Sequence, residues 1–442
     1  MQTQIFTAHK RHLGMRAPTV LAVGFALTIL VGALVLMLPV SAADGQITPF
    51  LDALFTAASA SCVTGLVTVS TAVHWSVFGK CVILLLIQIG GLGFMSVAAI
   101  ASFVLRRTIT LHERMVMSAG LNLSDGGGIV RLTRRVLFGT FIIEGTGAVL
   151  LSCRFVPHYG FPKGITMGVF HAVSAFCNAG FDLMGTPDDP FQSLIGWAED
   201  PLVNITLMAL IVLGGLGFFV WSDVWDKHSF CRLRLHTKIV LTATAGLLLF
   251  GFGWTLLFEW SNPASLGAFD TPHKLLAAAF ESVTLRTAGF NTIDLGALTG
   301  PSQAVSCLLM FIGGSPGSTA GGIKTVTAAV LVLTAISAFC GRTTVSAFGR
   351  TIAPRSIMNA VTLLMAGGVL CLVGACAIAG IEDAPFHQCL FEAVSAFGTV
   401  GVSMGLTPTL AAASRVILIV MMYMGRVGVL TLGVAVFMRR RE

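Results

Sequence analysis

The chain has 442 residues, of which 55% are hydrophobic and 11% are charged, and its mean hydropathy is +0.87. Because soluble domains carry about 25% charged residues, this composition excludes an ordinary soluble protein and indicates a multi-span membrane protein. The formal net charge of +7 does not indicate nucleic-acid binding, because the basic residues are confined to short polar gaps between apolar runs.

Eight apolar runs follow one another along the chain, and each meets the length of about 20 residues that a spanning helix needs or lies close to it. They are Pro18 to Val40, Cys81 to Leu105, Val136 to Cys153, Pro201 to Ser222, Ile239 to Phe258, Ser302 to Cys340, Ser356 to Ile381, and Val416 to Met438. A shorter apolar stretch lies between the two members of each pair. It is too short to cross the bilayer, so we expect a re-entrant segment there.

Charged residues alternate between the gaps. Basic residues fill every second gap, and they include Arg106, Arg114, Arg135, Lys227, Arg234, Arg342, Arg350 and Arg355. Acidic residues fill the others, and they include Asp182, Asp188, Glu199, Asp200, Glu382 and Asp383. The positive-inside rule therefore predicts that the basic gaps and both termini lie in the cytoplasm.

The four short stretches repeat one motif. In each, a phenylalanine is followed four residues later by serine or threonine and then, nine or ten residues after the phenylalanine, by a glycine. The glycines are Gly65, Gly180, Gly289 and Gly401, spaced 115, 109 and 112 residues apart. This period predicts four tandem units, 1–115, 116–230, 231–342 and 343–442, each made of helix, re-entrant half-helix and helix.

The predicted fold is an all-α membrane protein. Four helix–pore-loop–helix repeats surround a pseudo-fourfold central pore, with eight transmembrane helices and four re-entrant half-helices. Each second span also carries a glycine cluster, such as Gly90-Gly91-Leu92-Gly93, which is typical of close helix packing in lipid.

The loops that end at the four glycines are the candidate functional site. Non-helical backbone at membrane depth survives where it is buried in protein or lines a water-filled path. Glycine reaches positive φ cheaply, so four such loops can present rings of carbonyl oxygens that replace the hydration shell of a monovalent cation. The predicted ligands, which we call the filter loops, are Val63, Thr64 and Gly65; Asn178, Ala179 and Gly180; Thr287, Ala288 and Gly289; and Thr399, Val400 and Gly401.

A glycine-rich break in the sixth apolar run is a candidate gate. It comprises Gly313, Gly314, Ser315, Pro316, Gly317, Ser318, Thr319, Ala320, Gly321 and Gly322, followed by Lys324. The flanking apolar pieces are each short for a span, so we expect the break to lie within the membrane as a plug beneath the filter. Arg426 in the last span is predicted to raise the barrier to cations there. A structural role in helix packing is the alternative.

Other ionisable residues at membrane depth include one arginine and two glutamates near the half-helices. Arg286 follows the third half-helix and is expected to brace loop carbonyls, because a cation beside it would be repelled. Glu281 and Glu392 are expected in the first turns of two half-helices, where a carboxylate complements the helix dipole.

The motifs SCVTGL, FCNAGF, RTAGFNT and GTVGVSMG resemble the four selectivity-filter loops of the KtrB/TrkH/HKT superfamily of potassium transporters. Met310 to Thr325 resembles the intramembrane gating loop of that superfamily, and Met424 to Gly428 resembles its arginine-bearing last helix. Nearly the whole chain takes part in the resemblance, and eight spans are most similar to KtrB. Two positions depart from the expected pattern: Cys177 stands where we expected asparagine, and Val429 where we expected proline.

The resemblance implies potassium uptake across the bacterial inner membrane, frequently with sodium dependence. It further implies a homodimer, surrounded by membrane lipid, on a cytosolic KtrA-type nucleotide-binding ring, and no organic cofactor and no nucleic acid. Glycine at the first filter position, Gly65, favours potassium over sodium.

Three alternative functions predict different sequence features. A transporter with alternating access predicts inverted repeats, whereas these repeats share one orientation. A membrane enzyme needs a cluster of acidic, histidine or cysteine groups, and the sequence shows none at membrane depth. A TrkH-like proton-coupled or sodium-permeable cation transporter is the third. Gly65 argues against sodium permeation, and the sequence leaves proton coupling open.

Overall fold

The structure is a computed structural model that describes residues 17–93 and 129–428. Several sequence predictions lie outside these ranges: the placement of both termini, the basic gap that contains Arg106 and Arg114, the boundary at 115/116 and the departure at Val429. In the described ranges the chain forms fourteen α-helices and one short β-hairpin.

The helices follow the predicted order, and we number them along the chain. The first unit contains α1 (Ala17–Leu36), α2 (Phe50–Cys62) and α3 (Val77–Leu92). The second contains α4 (Ile129–Tyr159), α5 (Phe161–Phe176), α6 (Pro201–Leu216) and α7 (Phe218–Lys227). The third contains α8 (Leu235–Glu259), α9 (Thr271–Thr284), α10 (Gly300–Phe311) and α11 (Thr325–Phe339). The fourth contains α12 (Pro354–Ile381), α13 (Phe386–Gly398) and α14 (Ala412–Val427).

In the described residues the first helix of each unit is continuous, whereas the second ends or bends at a glycine, or gives way to the glycine-rich loop in the third unit. By length and composition four described helices, α1, α4, α8 and α12, can cross a membrane, or five if the bent pair α6 and α7 counts as one span. That pair turns by 92° at Gly217, whose φ is +92°. Helices α3 and α14 end at Gly93 and Gly428, which have φ of +82° and +91°. The glycine clusters therefore mark helix breaks as well as close packing.

Local sequence sets the starts of several helices. The Asp200 carboxylate accepts the Val203 N–H at 3.1 Å before α6, which begins with Pro201. Ser76 caps α3 in the same way by accepting the Gly79 N–H at 3.2 Å. These N-cap and proline signals satisfy N–H groups that have no partner inside the helix.

The half-helices α2, α5, α9 and α13 form the centre of the molecule. Their motif phenylalanines, Phe55, Phe170, Phe280 and Phe391, are all buried. Large apolar side chains on the outer helices, such as Leu27 of α1 and Phe141 of α4, are instead exposed. This distribution is expected where the outer surface contacts lipid.

Packing between units is cyclic. Helix α3 packs on the half-helix α5, α6 packs on α9, α10 packs on α13, and α14 returns to pack on α2. The second helix of each unit therefore contacts the half-helix of the next. The four units close into a ring around the half-helices.

A small second core lies beside α8, α11 and α12. Strands β1 (Ser346–Ala347) and β2 (Arg350–Thr351) pair antiparallel there. Phe348 and Gly349 make the turn with φ of +50° and +75°, as a two-residue hairpin turn requires.

Candidate functional site

The four filter loops have one backbone conformation. In each, φ is positive at the residue two positions before the glycine and again at the glycine, but not at the residue between them. The first members are Val63 (58°), Asn178 (59°), Thr287 (71°) and Thr399 (52°), and the glycines are Gly65 (95°), Gly180 (70°), Gly289 (88°) and Gly401 (94°). Positive φ is costly for β-branched residues such as valine and threonine. Its recurrence in all four units indicates a backbone geometry that the surrounding packing imposes.

The filter loops meet in a closed ring. A Cβ added to Gly65 would lie 2.6 Å from the Ala179 carbonyl oxygen. One added to Gly180 would lie 2.7 Å from the Ala288 oxygen, and one on Gly289 would lie 2.6 Å from the Val400 oxygen. A Cβ on Gly401 would collide with the carbonyl oxygen of Thr64, which returns the ring to the first unit. Glycine is thus needed at all four positions, both for φ and for the close approach of the next loop.

The hydroxyl of the repeated motif fastens each filter loop to its half-helix. Ser174, Thr284 and Ser395 donate to the carbonyls one residue beyond the filter glycine, Phe181, Phe290 and Val402, at 2.6–2.7 Å. Ser59 and Ser395 also accept the filter-glycine N–H, at 3.0 and 3.1 Å. A serine or threonine stands at this position in all four units, but the sequence-based prediction gave it no role. The recurrence of a hydroxyl side chain there was the available signal.

The prediction that Glu281 and Glu392 lie in first turns is wrong. Glu281 belongs to the last turn of α9 and Glu392 to the middle of α13, because both half-helices begin earlier than the motif suggested. Glu392 accepts the Met404 N–H and the Thr407 hydroxyl at 3.2 and 2.6 Å. It therefore holds the chain that follows the fourth filter loop, and it does not complement a helix dipole.

A cavity of about 180 Å³ opens on one side of the ring. The four filter glycines line it, together with polar groups that include Asp182, Asp294 and Ser403. Asp182 lies two residues beyond Gly180 and outside the helices. Burial raises the pKa of its carboxyl group, and hydrogen bonds from Met184 and Ser193 partly offset that rise.

The predicted gate lies on the other side of the ring. Residues 312–324, which we call the intramembrane loop, connect α10 to α11. Its ends meet where the Gly313 N–H donates to the Ile323 carbonyl at 2.8 Å. The loop is tied to the break between α6 and α7, because the Ser315 N–H donates to Gly215 at 3.0 Å and the Phe218 N–H donates to Gly317 at 2.9 Å.

Arg426 joins the intramembrane loop to the first unit. Its guanidinium donates to the carbonyls of Thr319 and Gly90, and to that of Gly91 at 3.3 Å. The structure thus brings the two parts of the predicted gate together, with the arginine hydrogen-bonded to backbone on both sides.

Lys324 and Arg286 stabilise the ends of the loop. The Lys324 ammonium donates to the Ala320 carbonyl at 2.7 Å. Arg286 donates to the Gly313 carbonyl at 3.2 Å and to the Thr325 hydroxyl at 3.0 Å. Arg286 therefore braces a carbonyl, as expected, but the carbonyl belongs to the intramembrane loop.

This chain matches a known protein family over nearly its whole length. The TrkH family model, described as cation transport protein, matches residues 3–440. The chain belongs to this family. It is 43% identical over 414 residues to the Ktr system potassium uptake protein B of Bacillus subtilis, covering 94% of this chain and 91% of that one. It is 41% identical over 415 residues to the potassium/sodium uptake protein NtpJ of Enterococcus hirae, covering 93% and 90%.

A solved structure has the same fold. The potassium transporter TrkH from Vibrio parahaemolyticus aligns with a TM-score of 0.73 at 17% identity, covering 97% of this chain and 86% of that one. The predicted fold class is thereby confirmed, and the chain is a multi-pass membrane protein. Because the TrkH family consists of cation transport proteins, the prediction of a transporter over an enzyme is confirmed as well.

Proposed function

We propose that this protein takes up potassium ions across the bacterial cytoplasmic membrane through the ring of four filter loops. The observation that carries the proposal is the closed ring of Gly65, Gly180, Gly289 and Gly401, with one φ pattern in every unit. Such a ring supplies backbone oxygens without a charged side chain, which suits a weakly held monovalent cation. The printed names of the relatives, potassium uptake and potassium/sodium uptake, support the same ion class.

The intramembrane loop and Arg426 are the gate in this proposal. The loop lies against the filter loops, and Arg426 adds a positive charge beside it. A cation would have to pass both, so conduction requires part of the loop to move aside. Lys324 adds a second positive charge at the loop's end.

Regulation is proposed from the relatives' names. Relatives named for a Ktr system support a partner subunit, which we place in the cytosol as a nucleotide-binding ring beneath a homodimer of this chain. Sodium dependence and cytoplasmic termini belong to the same proposal. Sodium permeation is the second candidate, favoured by the relative that is named for both ions.

The test is growth of a potassium-uptake-deficient bacterium on low potassium, with and without sodium and a KtrA-type subunit. The variants are Gly65→Ser and Gly401→Ser. Gly405→Ser is the matched control, because Gly405 also has positive φ (+87°) but no atom within 4 Å of an added Cβ. We expect the wild type and the control to restore growth and both filter variants to fail or to admit sodium.

Two results would count against the proposal. One is absence of rescue by the wild type despite membrane expression with a matched partner, which would indicate another ion. The other is equal rescue by all three serine variants, which would show that the ring does not take part in conduction.

A further inference from the structure

Thr319 of the intramembrane loop reaches the second filter loop with its side chain. Its hydroxyl lies 2.9 Å from the Asn178 Oδ1 and 3.3 Å from the Phe176 carbonyl oxygen. Its N–H donates to Gly214 at 3.3 Å, and its carbonyl accepts from Arg426. The side chain is fully buried, so each of these bonds is shielded from water.

Asn178 passes this contact on to a second filter loop. It stands two residues before Gly180 in the left-handed region, with φ of +59°. Its Oδ1 accepts from Thr319, and its Nδ2 donates to the Thr287 hydroxyl at 3.4 Å. A chain of side-chain hydrogen bonds therefore runs from the gate through the second filter loop to the third.

The other end of the intramembrane loop packs on the fourth filter loop. A Cβ added to Gly321 would collide with the Thr399 side chain, and one on Gly322 would lie 3.1 Å from the Gly398 carbonyl oxygen. The loop thus supports the ring at two places. Moving the loop away removes both supports and leaves the Asn178 amide oxygen without this donor.

We propose that Thr319 is a positioning residue that makes ion selectivity depend on the state of the gate. This inference rests on the proposed function. With the loop in place, Thr319 fixes the Asn178 side chain, which in turn fixes Thr287. An opening that shifts the rest of the loop and keeps Thr319 bonded to Asn178 retains selectivity. A movement that breaks this bond leaves the second filter loop without that support, so the second and third filter loops discriminate less between cations. The loop is then a part of the filter as well as its plug.

A simpler role for Thr319 predicts a different result. If the residue only holds the loop closed, its loss raises the flux of every permeant ion by the same factor. If it positions Asn178, its loss also changes the ratio of potassium to sodium uptake. The ratio therefore separates the two roles, whereas growth alone does not.

The experiment compares Thr319→Val, Thr319→Ser, Ser318→Ala and Thr334→Val in cells and as purified protein. Valine keeps the shape and removes the hydroxyl, and serine restores the hydroxyl. Ser318 donates only within the loop, to the Ser315 carbonyl at 2.7 Å, so its variant loosens the loop alone. Thr334 donates to Val330 within α11 and is the matched threonine-to-valine control.

We expect Thr319→Val to lower the potassium-to-sodium uptake ratio about three- to tenfold, the size that one buried hydrogen bond allows. Thr319→Ser should retain the ratio, and Ser318→Ala should change flux without changing the ratio. We expect the melting temperature of the purified wild type to be higher in potassium than in sodium, and Thr319→Val to reduce this difference. This readout does not need transport.

A raised flux in Thr319→Val with an unchanged uptake ratio and an unchanged difference in melting temperature would overturn the inference. If the wild type carried another monovalent ion, the proposed function would fail while the coupling was still tested, through the uptake ratio of that ion to sodium or lithium. The two failures are therefore distinguishable.

Discussion

At the scale of single residues, side-chain hydroxyls hold the filter loops against the half-helices. Ser395 is the most fully engaged, because it accepts the Gly401 N–H and donates to the Val402 carbonyl. The backbone between these two groups is left-handed at Gly401. A loop in such a conformation persists only where its polar groups have partners.

We expect Ser395→Ala to lower the free energy of unfolding by about 1–3 kcal/mol, since a buried N–H and carbonyl lose their partner. Thermal melting in detergent measures this loss. Thr409→Val is the control, because the Thr409 hydroxyl donates to Leu406 at an exposed site of the same unit. Equal shifts for the two variants would contradict a special role for Ser395.

We predict that potassium affinity depends on pH, because Asp182 lines the cavity beside the ring. Burial raises the pKa of this carboxyl group, so it gains a proton at a higher pH than an ordinary aspartate does. Acidification of that side then removes a negative charge from the cavity, and potassium affinity falls. Asp182→Asn should mimic the acidified state at neutral pH.

We expect Asp182→Asn to raise the half-saturation concentration for potassium uptake about fivefold. A fivefold change corresponds to ~1 kcal/mol, which is the attraction between two opposite unit charges about 4 Å apart in water. Uptake kinetics measured across the acidic range would test this. A variant that keeps the wild-type affinity and pH profile would show that Asp182 does not act on the entering ion.

At the scale of elements, the second helix of each unit ends or bends at a glycine or a glycine-rich loop within the described residues, whereas the first helix does not. Gly93, Gly217 and Gly428 end α3, α6 and α14 with φ above +80°, and the intramembrane loop interrupts the third unit. Glycine is the residue that adopts this conformation without strain. In the second unit this conformation lets α7 turn by 92° from α6.

Deletion of Gly314 to Gly321 should raise potassium flux, because it removes the proposed plug together with its bonds to Gly215 and Asn178. Isotope uptake in cells measures this. Arg426→Gln is a milder variant that keeps the loop but weakens the hydrogen bond to the Gly90 carbonyl. We expect it to cause a smaller rise in potassium flux. Unchanged uptake in the deletion variant, at equal expression, would eliminate the loop as a gate.

At the scale of the whole molecule, an ion pair helps to close the ring of units. Arg415 of α14 donates to the Asp52 carboxylate of α2 at 2.7 Å, and the same oxygen accepts from Thr68 at 2.9 Å. The side chains are 21% and 16% exposed, so water screens the pair only partly. The bond spans 363 residues of chain and links the fourth unit to the first.

We expect Arg415→Ala to lower the free energy of unfolding by about 1.5–3 kcal/mol, the range for a hydrogen bond to a charged group. Arg135→Ala breaks the pair with Asp226, which is half exposed on both sides, and it should cost at most about 1 kcal/mol. Denaturation in detergent compares the two. A larger loss for Arg135→Ala would contradict this account of ring closure.

The sequence alone determined the fold class, the four half-helices and the positions of the filter glycines. These depend on signals that are local or periodic: apolar length, the recurring phenylalanine and glycine, and the need of glycine at positive φ. A repeat of this kind is visible without coordinates because each unit meets the same physical demand. The placement of Glu281 and Glu392 was wrong because the starts of the half-helices depend on more distant context.

Only the tertiary structure decided which groups meet. The sequence placed Thr319 in a loop and Asn178 in a filter 141 residues away, and no periodicity relates them. The same holds for Arg426 and Gly90, and for Arg415 and Asp52. Such contacts arise from the cyclic packing of second helices on neighbouring half-helices, which brings distant segments together in three dimensions.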